Sequence, residues 1–335
     1  MAASHALAGL VAAFSIAAAQ AATYQVTDVA ASQAFHMGIN RSGAVTSTLG
    51  IDGVDYAFVF ENGSLRLLEA AGQYNSGNAI NDRGDVAGTC QGPQARRPKA
   101  CIWTTAGLRK FKGLLGGGMV TVEGINEARQ VVGSSDAGLG RVHPYRYDHG
   151  VMIDLGTLGG NDSRAFAINR AGHVAGYSLV AGNQIHYHAF IHDGAQLKDL
   201  GTLSGGSSFA YALNDADVAV GASDLDDGRR HAVIFDGGRV TDLGTLGGSS
   251  SAARAINNHG VVVGWSDTPT YRHQRAFIYR NGHMTPLTHH LDPVSGAGWT
   301  LTNAGAINDA GQIVAQGYRG EDTQDAHTLL LTPID

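Results

Sequence analysis

The chain has 335 residues, of which 47 are glycine and only 16% are charged. This composition is typical of many short strands joined by tight turns and excludes a protein built from long helices. The 23 basic and 29 acidic residues leave a formal charge of -6, and no block of lysine and arginine is present, so the sequence predicts no nucleic-acid partner.

The first 21 residues have the pattern of a cleavable secretory signal. An apolar run from Ala6 to Ala19 leads into Ala19-Gln20-Ala21, the small-x-small sequence that signal peptidase accepts, although the segment lacks lysine and arginine. The alternative is an alanine-rich disordered start. The run is too short to cross a membrane and no later segment is long and apolar enough, so we expect no membrane span. The sequence therefore predicts a secreted or periplasmic protein, with residues 1–21 as signal peptide and 22–335 as one domain.

A repeat accounts for the whole of this domain. An apolar residue followed by asparagine recurs at intervals of 41 to 51 residues. The asparagines are Asn40, Asn81, Asn126, Asn169, Asn214, Asn257 and Asn308. A fixed period of this length is the signature of repeat folds and propellers. The sequence predicts seven copies of one structural unit.

Each copy reads as four short strands, named a to d. The asparagine opens a tight turn between a strand of small residues (a) and a β-branched strand (b), as in Ala252 to Ile256 and Val261-Val262-Val263. A second hairpin follows, with strand c at His188 to Ile191 and strand d at Leu197 to Leu200 in one copy. Consecutive apolar residues in b and c indicate sheets that are buried on both faces, as stacked propeller blades are.

The chain begins and ends within a unit, which predicts how a ring would close. The last copy supplies strands a, b and c, with c at His327 to Leu331, and then ends. Tyr24 to Val29, at the other end, matches the pattern of strand d in Val240 to Leu243. We therefore expect an all-β fold, a seven-bladed β-propeller of four-stranded blades that is closed by an N-terminal strand completing the last blade. Pro286, in one strand d, fits the outer edge that this order assigns to d.

Several of these segments resemble a known family. His188-Ala189-Phe190, Asp199 to Leu203 and Ala212 to Asn214 resemble the repeat of the HAF-repeat family, whose members are taken to be extracellular. The resemblance covers essentially the whole mature chain, although one copy alone has the His-Ala-Phe triplet intact. It implies an exported, propeller-like repeat protein without an established activity.

We expect the recurring polar residues to have structural roles. Strand c begins with histidine in several copies, and we expect each imidazole to hold a loop by a hydrogen bond rather than to bind a metal. The recurring aspartates of strand d read as groups that face solvent or bind a loop. The acidic loop after Ser223 leaves calcium open as an alternative, but it lacks the spaced ligands of a calcium loop, so the sequence predicts no cofactor. The signatures of common nucleophile and metal sites are absent.

Candidate binding residues come from the segments that break the repeat. The a–b and c–d turns are short and uniform, whereas the b–c and d–a connections differ from copy to copy, and variable loops on a regular scaffold often carry function. The longest gap contains an insertion between the sixth and seventh copies. We expect the ligand site on this variable side, and the candidate binding residues are His289, His290, Trp299, Tyr271 and His273. The alternative is an insertion whose tryptophan covers a blade edge.

The remaining expectations concern function and the two cysteines. The sequence favours a binding or scaffold module for a glycan, a peptide or a surface component. The alternative is a propeller hydrolase or lyase that acts on polysaccharide, with histidine or carboxylate side chains as acid and base. Cys90 and Cys101 fall within one hairpin of the second copy, and in an exported protein we expect them to form a disulfide.

Overall fold

A computed structural model describes residues 22–32, 36–70, 72–92, 98–115, 118–182, 185–270, 274–320 and 325–334. Within these ranges the chain forms strands and a single 3-10 helix, Leu287–His290. The strands are β1 (Thr23–Ala31), β2 (Gly38–Ile39), β3 (Val45–Ile51), β4 (Val54–Glu61), β5 (Ser64–Leu67), β6 (Tyr74–Ile80), β7 (Val86–Gln91), β8 (Lys99–Thr104), β9 (Gly107–Phe111), β10 (Gly124–Ile125), β11 (Val131–Asp136), β12 (Val142–Asp148), β13 (Val151–Asp154), β14 (Gly159–Ile168), β15 (Val174–Val180), β16 (Tyr187–His192), β17 (Leu197–Asp199), β18 (Ser208–Leu213), β19 (Ala219–Asp224), β20 (Arg230–Asp236), β21 (Arg239–Asp242), β22 (Ser251–Ile256), β23 (Val262–Asp267), β24 (Gln274–Arg280), β25 (His283–Pro286), β26 (Trp299–Ile307), β27 (Ile313–Arg319) and β28 (His327–Ile334). The expected all-β architecture is confirmed.

The strands are grouped as the repeat predicts. The groups β2 to β5, β6 to β9, β18 to β21 and β22 to β25 each form an antiparallel sheet of four strands in chain order. The groups β10 to β13 and β14 to β17 are joined into one larger sheet by a single parallel pair, Val142↔Asp162. Pro286 ends β25, which is the edge strand of its sheet.

The remaining sheet combines the two ends of the described chain. Its order is β1-β28-β27-β26, and β1 pairs antiparallel with β28 from Thr23↔Ile334 to Ala31↔His327. One irregularity interrupts this pairing between Asp28 and Ala30. The first strand therefore occupies the position that strand d holds in the other sheets.

The core lies between successive sheets, because strand b sends alternate residues to opposite sides. In β19, Ala219 joins one apolar cluster together with Ile191 of the preceding sheet, while Val220 joins another together with Phe277 of the following sheet. Both residues are fully buried. Burying a valine or phenylalanine side chain contributes about 1.5–3 kcal/mol, so each sheet is stabilised by both of its neighbours.

Candidate functional site

The insertion between the sixth and seventh copies covers the outer edge of β1. Leu291 forms an isolated parallel bridge with Tyr24. The Asp292 amide donates to the carbonyl oxygen of Tyr24 at 2.8 Å, and the Val26 amide donates to the Ser295 hydroxyl at 3.0 Å. An edge strand exposes unpaired backbone groups, and covering them prevents pairing with another chain. The described contacts of the insertion are thus structural.

Two candidate binding residues, His289 and His290, end the 3-10 helix in this insertion. His289 is exposed, whereas His290 is half-buried with its Nε2 atom 2.9 Å from the Thr285 hydroxyl oxygen. Burial lowers the pKa of His290, and the charges of Arg280 and His289 lower it further. The imidazole of His290 is therefore held neutral and hydrogen-bonded, which leaves His289 as the more accessible of the two.

The other candidate binding residues are separate from this pair or are not described. Trp299 begins β26 and is buried in the apolar cluster that includes Leu301 and Leu329. The Arg319 guanidinium stands 4.6 Å from its ring centre, and the His327 ring meets it edge-on at 5.3 Å. Trp299 thus serves the core of the sheet that contains both chain ends. Tyr271 and His273 lie outside the described residues.

The strand c histidines pair with strand d aspartates in four copies of the repeat. Nδ1 lies 2.8–2.9 Å from the nearest carboxylate oxygen in His143–Asp154, His188–Asp199, His231–Asp242 and His327–Asp28. Three of the aspartates also accept a hydrogen bond from the backbone of a following glycine, at Gly156, Gly201 and Gly244. These contacts fix the start of the d–a connection, which is the loop-holding arrangement expected from the sequence.

The two cysteines lie on neighbouring strands of the second sheet. Cys90 is on β7 and Cys101 on β8, and a disulfide joins them with their Cα atoms 5.9 Å apart. Both residues are buried. The bond holds one hairpin together and closes a loop of short sequence separation.

A circle of hydrogen bonds links the asparagines that begin the a–b turns. Each asparagine amide donates from Nδ2 to the backbone carbonyl of the next asparagine in the series, at 3.0–3.4 Å. The last of these bonds runs from Asn308 back to Asn40. These asparagines are buried, and all of them except Asn81 line a cavity of about 210 Å³.

The residue that follows each asparagine also lines this cavity. The turns are uniformly tight, as expected, since the residue three places after each asparagine donates its backbone N–H to the asparagine carbonyl. The residue that directly follows the asparagine nevertheless varies, and it is Arg41, Asp82, Glu127, Arg170, Asp215, Asn258 or Asp309. The acidic side chains are already hydrogen-bonded to neighbouring turns. Glu127 accepts the Asp82 amide at 2.9 Å, and Asp309 accepts the backbone and side-chain N–H groups of Asn258 at 2.8 and 2.9 Å. Burial raises the pKa of Asp309, but the hydrogen bonds from Asn258 outweigh it and the pKa is lowered overall.

These acidic groups are therefore used in joining neighbouring turns. Within the described ranges, no group of three or more histidine, cysteine, aspartate or glutamate residues converges in a way that could hold a metal ion. The described contacts around this cavity join neighbouring turns.

A β-bulge in strand a changes the direction of one residue in several sheets. The register shifts between Gly77 and Ala79, and it does so again at the same distance from the asparagine in four later sheets. The residues left unpaired by these bulges are Asn78, Phe166, Tyr211, Arg254 and Gly305. A bulge redirects a side chain and often lies next to a functional site. Four of these five bulges face a strand b glycine, such as Gly221, where a Cβ atom would collide with the carbonyl of strand a.

Three of the bulge residues, Phe166, Tyr211 and Arg254, belong to what we call the aromatic–arginine patch. Its members are Phe166, Tyr177, Tyr187, Phe209, Tyr211, Arg230 and Arg254. The ring centres are 5.0–6.2 Å apart in contacts that join β14, β15, β16 and β18. All five aromatic residues are half-buried, so the cluster keeps part of its surface open to solvent. Aromatic side chains of this kind combine large apolar area with a polar tip and dominate binding interfaces.

The two arginines of the patch differ in their partners. The Arg230 guanidinium is 4.5 Å from the ring centre of Phe209 and is paired with Asp224 through an Nε–Oδ1 contact of 2.7 Å. The guanidinium of Arg254 is exposed, lies 4.7 Å from the ring centre of Tyr211, and pairs with no carboxylate among the described residues. The patch therefore carries one neutralised and one unneutralised guanidinium.

The tyrosine hydroxyls of the patch remain protonated. Burial raises the pKa of Tyr177 to about 12, and burial also raises the pKa of Tyr211 although Arg254 and Arg230 oppose it. The hydroxyl of Tyr187 donates to Asp162 at 3.3 Å. These groups act as hydrogen-bonding phenols at any physiological pH.

None of the patch residues is among the candidate binding residues predicted from the sequence, although the sequence of strand a contains an indication of them. Strand a is rich in small residues, and Phe166, Tyr211 and Arg254 interrupt it at the same place, three residues before the asparagine. Large side chains at that one place in three successive copies could have indicated that they meet.

The comparisons with solved structures show a propeller-like fold. The β-propeller domain of the Trilobed protease from Pyrococcus furiosus has a TM-score of 0.54 and 13% identity, over 76% of this chain and 81% of that chain. The acylaminoacyl peptidase of Pyrococcus horikoshii has a TM-score of 0.52 and 10% identity, over 89% of this chain and 51% of that chain. A gluconolactonase of Xanthomonas campestris has a TM-score of 0.50 and 10% identity, over 95% of this chain and 93% of that chain. At such identities the likeness concerns the fold alone.

Three further findings bear on identity and membrane association. No curated protein matches the chain. None of the described residues forms a helix with the length and apolar character needed to cross a membrane. A family model described as "Protein of unknown function (DUF3466)" matches residues 159–331, which is more than half of the sequence. The chain belongs to this DUF3466 family.

Proposed function

We propose that the chain is an exported binding module whose ligand occupies the aromatic–arginine patch. We infer that its scaffold is a ring of seven four-stranded blades, completed by β1. The pairing of β1 with β28 and the circle of asparagine hydrogen bonds, which returns from Asn308 to Asn40, support the ring. In this arrangement β10 to β13 and β14 to β17 are separate blades that one bridging pair connects.

Export is supported by the signal-like start and by the disulfide. The small-x-small sequence before Ala22 fits cleavage by signal peptidase. A disulfide between Cys90 and Cys101 is stable in the oxidising conditions outside the cytoplasm. The resemblance to the HAF repeat agrees with this location, and we propose a periplasmic or secreted protein.

Binding is supported by one observation, the half-exposed aromatic cluster beside the unpaired Arg254. Soluble proteins rarely leave contiguous apolar area open to solvent, and such area marks interaction sites. Within the described residues, five aromatic rings contact one another in a continuous series rather than lying singly on the surface. A glycan or a peptide could stack on these rings and bind the guanidinium.

The polysaccharide hydrolase or lyase is the weaker candidate on the described residues. Such an enzyme needs a carboxyl or imidazole group that is free to exchange a proton with the substrate. The carboxylates at the axial cavity accept hydrogen bonds from neighbouring turns, and four strand c histidines bind aspartates through Nδ1. These groups have structural partners already.

Binding at the patch can be tested with arrays of glycans and peptides. Labelled mature protein is applied to both arrays, beside the variants Tyr211→Ala and Arg254→Ala. We expect ligands of the parent protein to be lost by both variants. The matched control is Tyr147→Ala, because Tyr147 is also half-buried and stacks on Phe111 at 4.0 Å but lies outside the patch. If the patch variants keep the binding of the parent, the proposed function is wrong.

A further inference from the structure

Two exposed leucines lie close together on connections of the second and third copies. Leu139, in the turn between β11 and β12, is 91% exposed, and Leu115, between β9 and β10, is 66% exposed. The two connections meet, because a Cβ atom placed on Gly138 would stand 3.1 Å from Leu115 Cδ1. Both leucines line one cavity of about 510 Å³. Two largely uncovered aliphatic side chains therefore protrude from the same part of the surface.

The backbone holds Leu139 at the tip of a tight turn in a strained conformation. Its φ of 53° is left-handed, which costs energy in a residue with a Cβ atom. A hydrogen bond of 2.9 Å from the Ala137 amide to the Arg141 carbonyl closes the turn. At Arg129 and Asp217 the same strain is offset by side-chain contacts, whereas an exposed leucine obtains no such compensation from the fold. Strain that no internal contact explains points to an external one.

The sequence around Leu115 is basic in a chain that is acidic overall. Residues 86–122 contain six lysines and arginines and no aspartate or glutamate, whereas the whole chain carries a formal charge of -6. The six are spread along the segment rather than gathered in one run, and they are Arg96, Arg97, Lys99, Arg109, Lys110 and Lys112. Arg96 and Arg97 lie outside the described residues. This segment therefore has a charge opposite in sign to that of the protein as a whole.

Three of these lysines lie at the end of the second sheet that leads to Leu115. Lys99 begins β8, and Lys110 and Lys112 stand at the end of β9 that pairs with this start of β8. All three are exposed. None of them takes part in an ion pair among the described residues. We define the leucine–lysine face as Lys99, Lys110, Lys112, Leu115 and Leu139.

The chemistry of this face selects among the partners of a basic, apolar surface. A protein partner is anchored mainly by aromatic and arginine side chains in fitted pockets, and single-stranded nucleic acid stacks its bases on aromatic rings. The leucine–lysine face contains no aromatic residue, and Phe111, between its lysines, is stacked on Tyr147 instead. A lipid bilayer accepts protruding aliphatic side chains without a complementary shape, and its anionic headgroups attract lysines.

We propose that the leucine–lysine face docks the protein on an anionic lipid bilayer. Leu115 and Leu139 enter the boundary between headgroups and acyl chains, and the lysines contact the headgroups. This docking places the protein on a membrane surface without a membrane span. It is independent of the ligand proposed for the aromatic–arginine patch.

The test is sedimentation of the mature protein with vesicles of phosphatidylcholine alone and of phosphatidylcholine mixed with phosphatidylglycerol. We expect binding to the anionic vesicles to be about tenfold or more stronger, since each lysine near such a surface contributes separately. Added salt should weaken this binding, because it screens exposed charges. Equal binding to both kinds of vesicle, or binding to neither, overturns the proposal.

Leu139→Asn tests insertion while preserving the turn, because asparagine adopts a left-handed backbone more readily than leucine does. This variant should melt at or above the temperature of the parent and bind anionic vesicles about tenfold more weakly, the effect of losing one inserted leucine. The matched control is Val294→Asn, since Val294 is 83% exposed but lies in the insertion before β26. Equal vesicle binding by Leu139→Asn and the parent overturns the proposal.

The lysines are tested by the double variant Lys110→Gln, Lys112→Gln. It should weaken binding to anionic vesicles about tenfold or more, whereas Arg239→Gln, an exposed change on β21 of another sheet, should not. If the two variants weaken binding equally, the attraction is general and the assignment to this face is wrong.

Two further measurements separate lipid docking from other binding. Tyr211→Ala should bind vesicles like the parent, whatever its effect on the array ligands, so this inference and the proposed function fail separately. If Tyr211→Ala releases the vesicles, the lipid lies at the aromatic–arginine patch and the proposal is overturned. If duplex DNA binds the parent more tightly than anionic vesicles do, nucleic acid is the partner and the proposal is likewise overturned.

Discussion

The contribution of the first strand to stability can be measured at Tyr24. This residue is 3% exposed and belongs to the apolar cluster that includes Leu329 and Leu331 of β28. Burial raises the pKa of its hydroxyl, although Arg280 opposes the change. Replacing Tyr24 by alanine removes a large aromatic ring from this core and leaves β1 with its backbone pairing and the side-chain contacts of Val26 and Val29.

The expected loss follows from the cost of deleting buried aromatic side chains. Such deletions destabilise proteins by about 3–5 kcal/mol. For a domain of this size, with an unfolding entropy of about 2.1 cal/mol/K per residue, that corresponds to a decrease of about 5–8 °C in the melting temperature. The assay is thermal unfolding of mature Tyr24→Ala followed by near-ultraviolet circular dichroism, with the parent protein measured in parallel.

The control is Tyr74→Ala, which removes the same side chain from the start of β6, where it is 51% exposed. We expect this variant to melt within about a degree or two of the parent, as surface substitutions usually do. If the two variants have the same melting temperature, β1 does not stabilise the core, and the inference of a ring completed by β1 loses its support.

Three further perturbations test other contacts. Burial lowers the pKa of His327, but hydrogen bonds and charge from Asp28 and Asp325 outweigh it, so the pKa is raised overall. The pair with Asp28 therefore stabilises the fold below the unfolded pKa of about 6.5, and this contribution is lost as the pH rises through the folded pKa. Between about pH 6 and pH 8, the melting temperature of the parent should fall more than that of Asp28→Asn. Reduction of the Cys90–Cys101 disulfide should cost about 3 kcal/mol in chemical denaturation, from the loop entropy of the unfolded chain. Asn169→Ala should cost about 2–4 kcal/mol in the same assay, because it leaves buried backbone groups unpaired.

Each of these predictions has a result that contradicts it. Equal pH dependence of the parent and the Asp28→Asn variant would show that the His327 pair does not stabilise the folded state through its charge. Identical denaturation with and without reductant would remove the disulfide as a stabilising bond. An Asn169→Ala variant no weaker than an alanine at an exposed asparagine would mean that the circle of amides adds no stability.

The sequence predicted the strands well because local turn chemistry repeats in every copy. The asparagine side chain closes the a–b turn by accepting backbone N–H groups, as at Asn169 and His173, and a turn of this kind is visible in the sequence. The second role of the asparagine, donation to the next copy, could not be predicted, since it depends on how successive sheets pack.

The two copies that break the glycine rule illustrate the same limit. Arg129 and Asp217 replace the turn glycine and still adopt its left-handed backbone, with φ of 60° and 61°. Both side chains reach neighbouring turns, where Arg129 binds Asp85 and Asp217 binds His173. These contacts offset the strain, and the residues that make them are 44 apart in sequence.

The candidate site was harder to predict than the fold because it is formed between copies. Phe166, Tyr211 and Arg254 each lie in a different sheet, and a bulge in each strand brings them together. The variation in loop length instead predicted a site at the insertion between the sixth and seventh copies. The described contacts of this insertion support β1. Large side chains within the small-residue strand a were a better indication of the candidate site than the length of the insertion was.

The pairing of β1 with β28 also sets the order of folding during synthesis. Asp28 and His327 are 299 residues apart, so the first strand emerges long before its partner exists. At about 5–20 residues per second, it waits about 15–60 seconds for β28 to be made. During that time the other sheets can form and stack, and β1 must avoid pairing with other chains. Mutations in β1 should therefore reduce the yield of folded protein more than their effect on its final stability suggests.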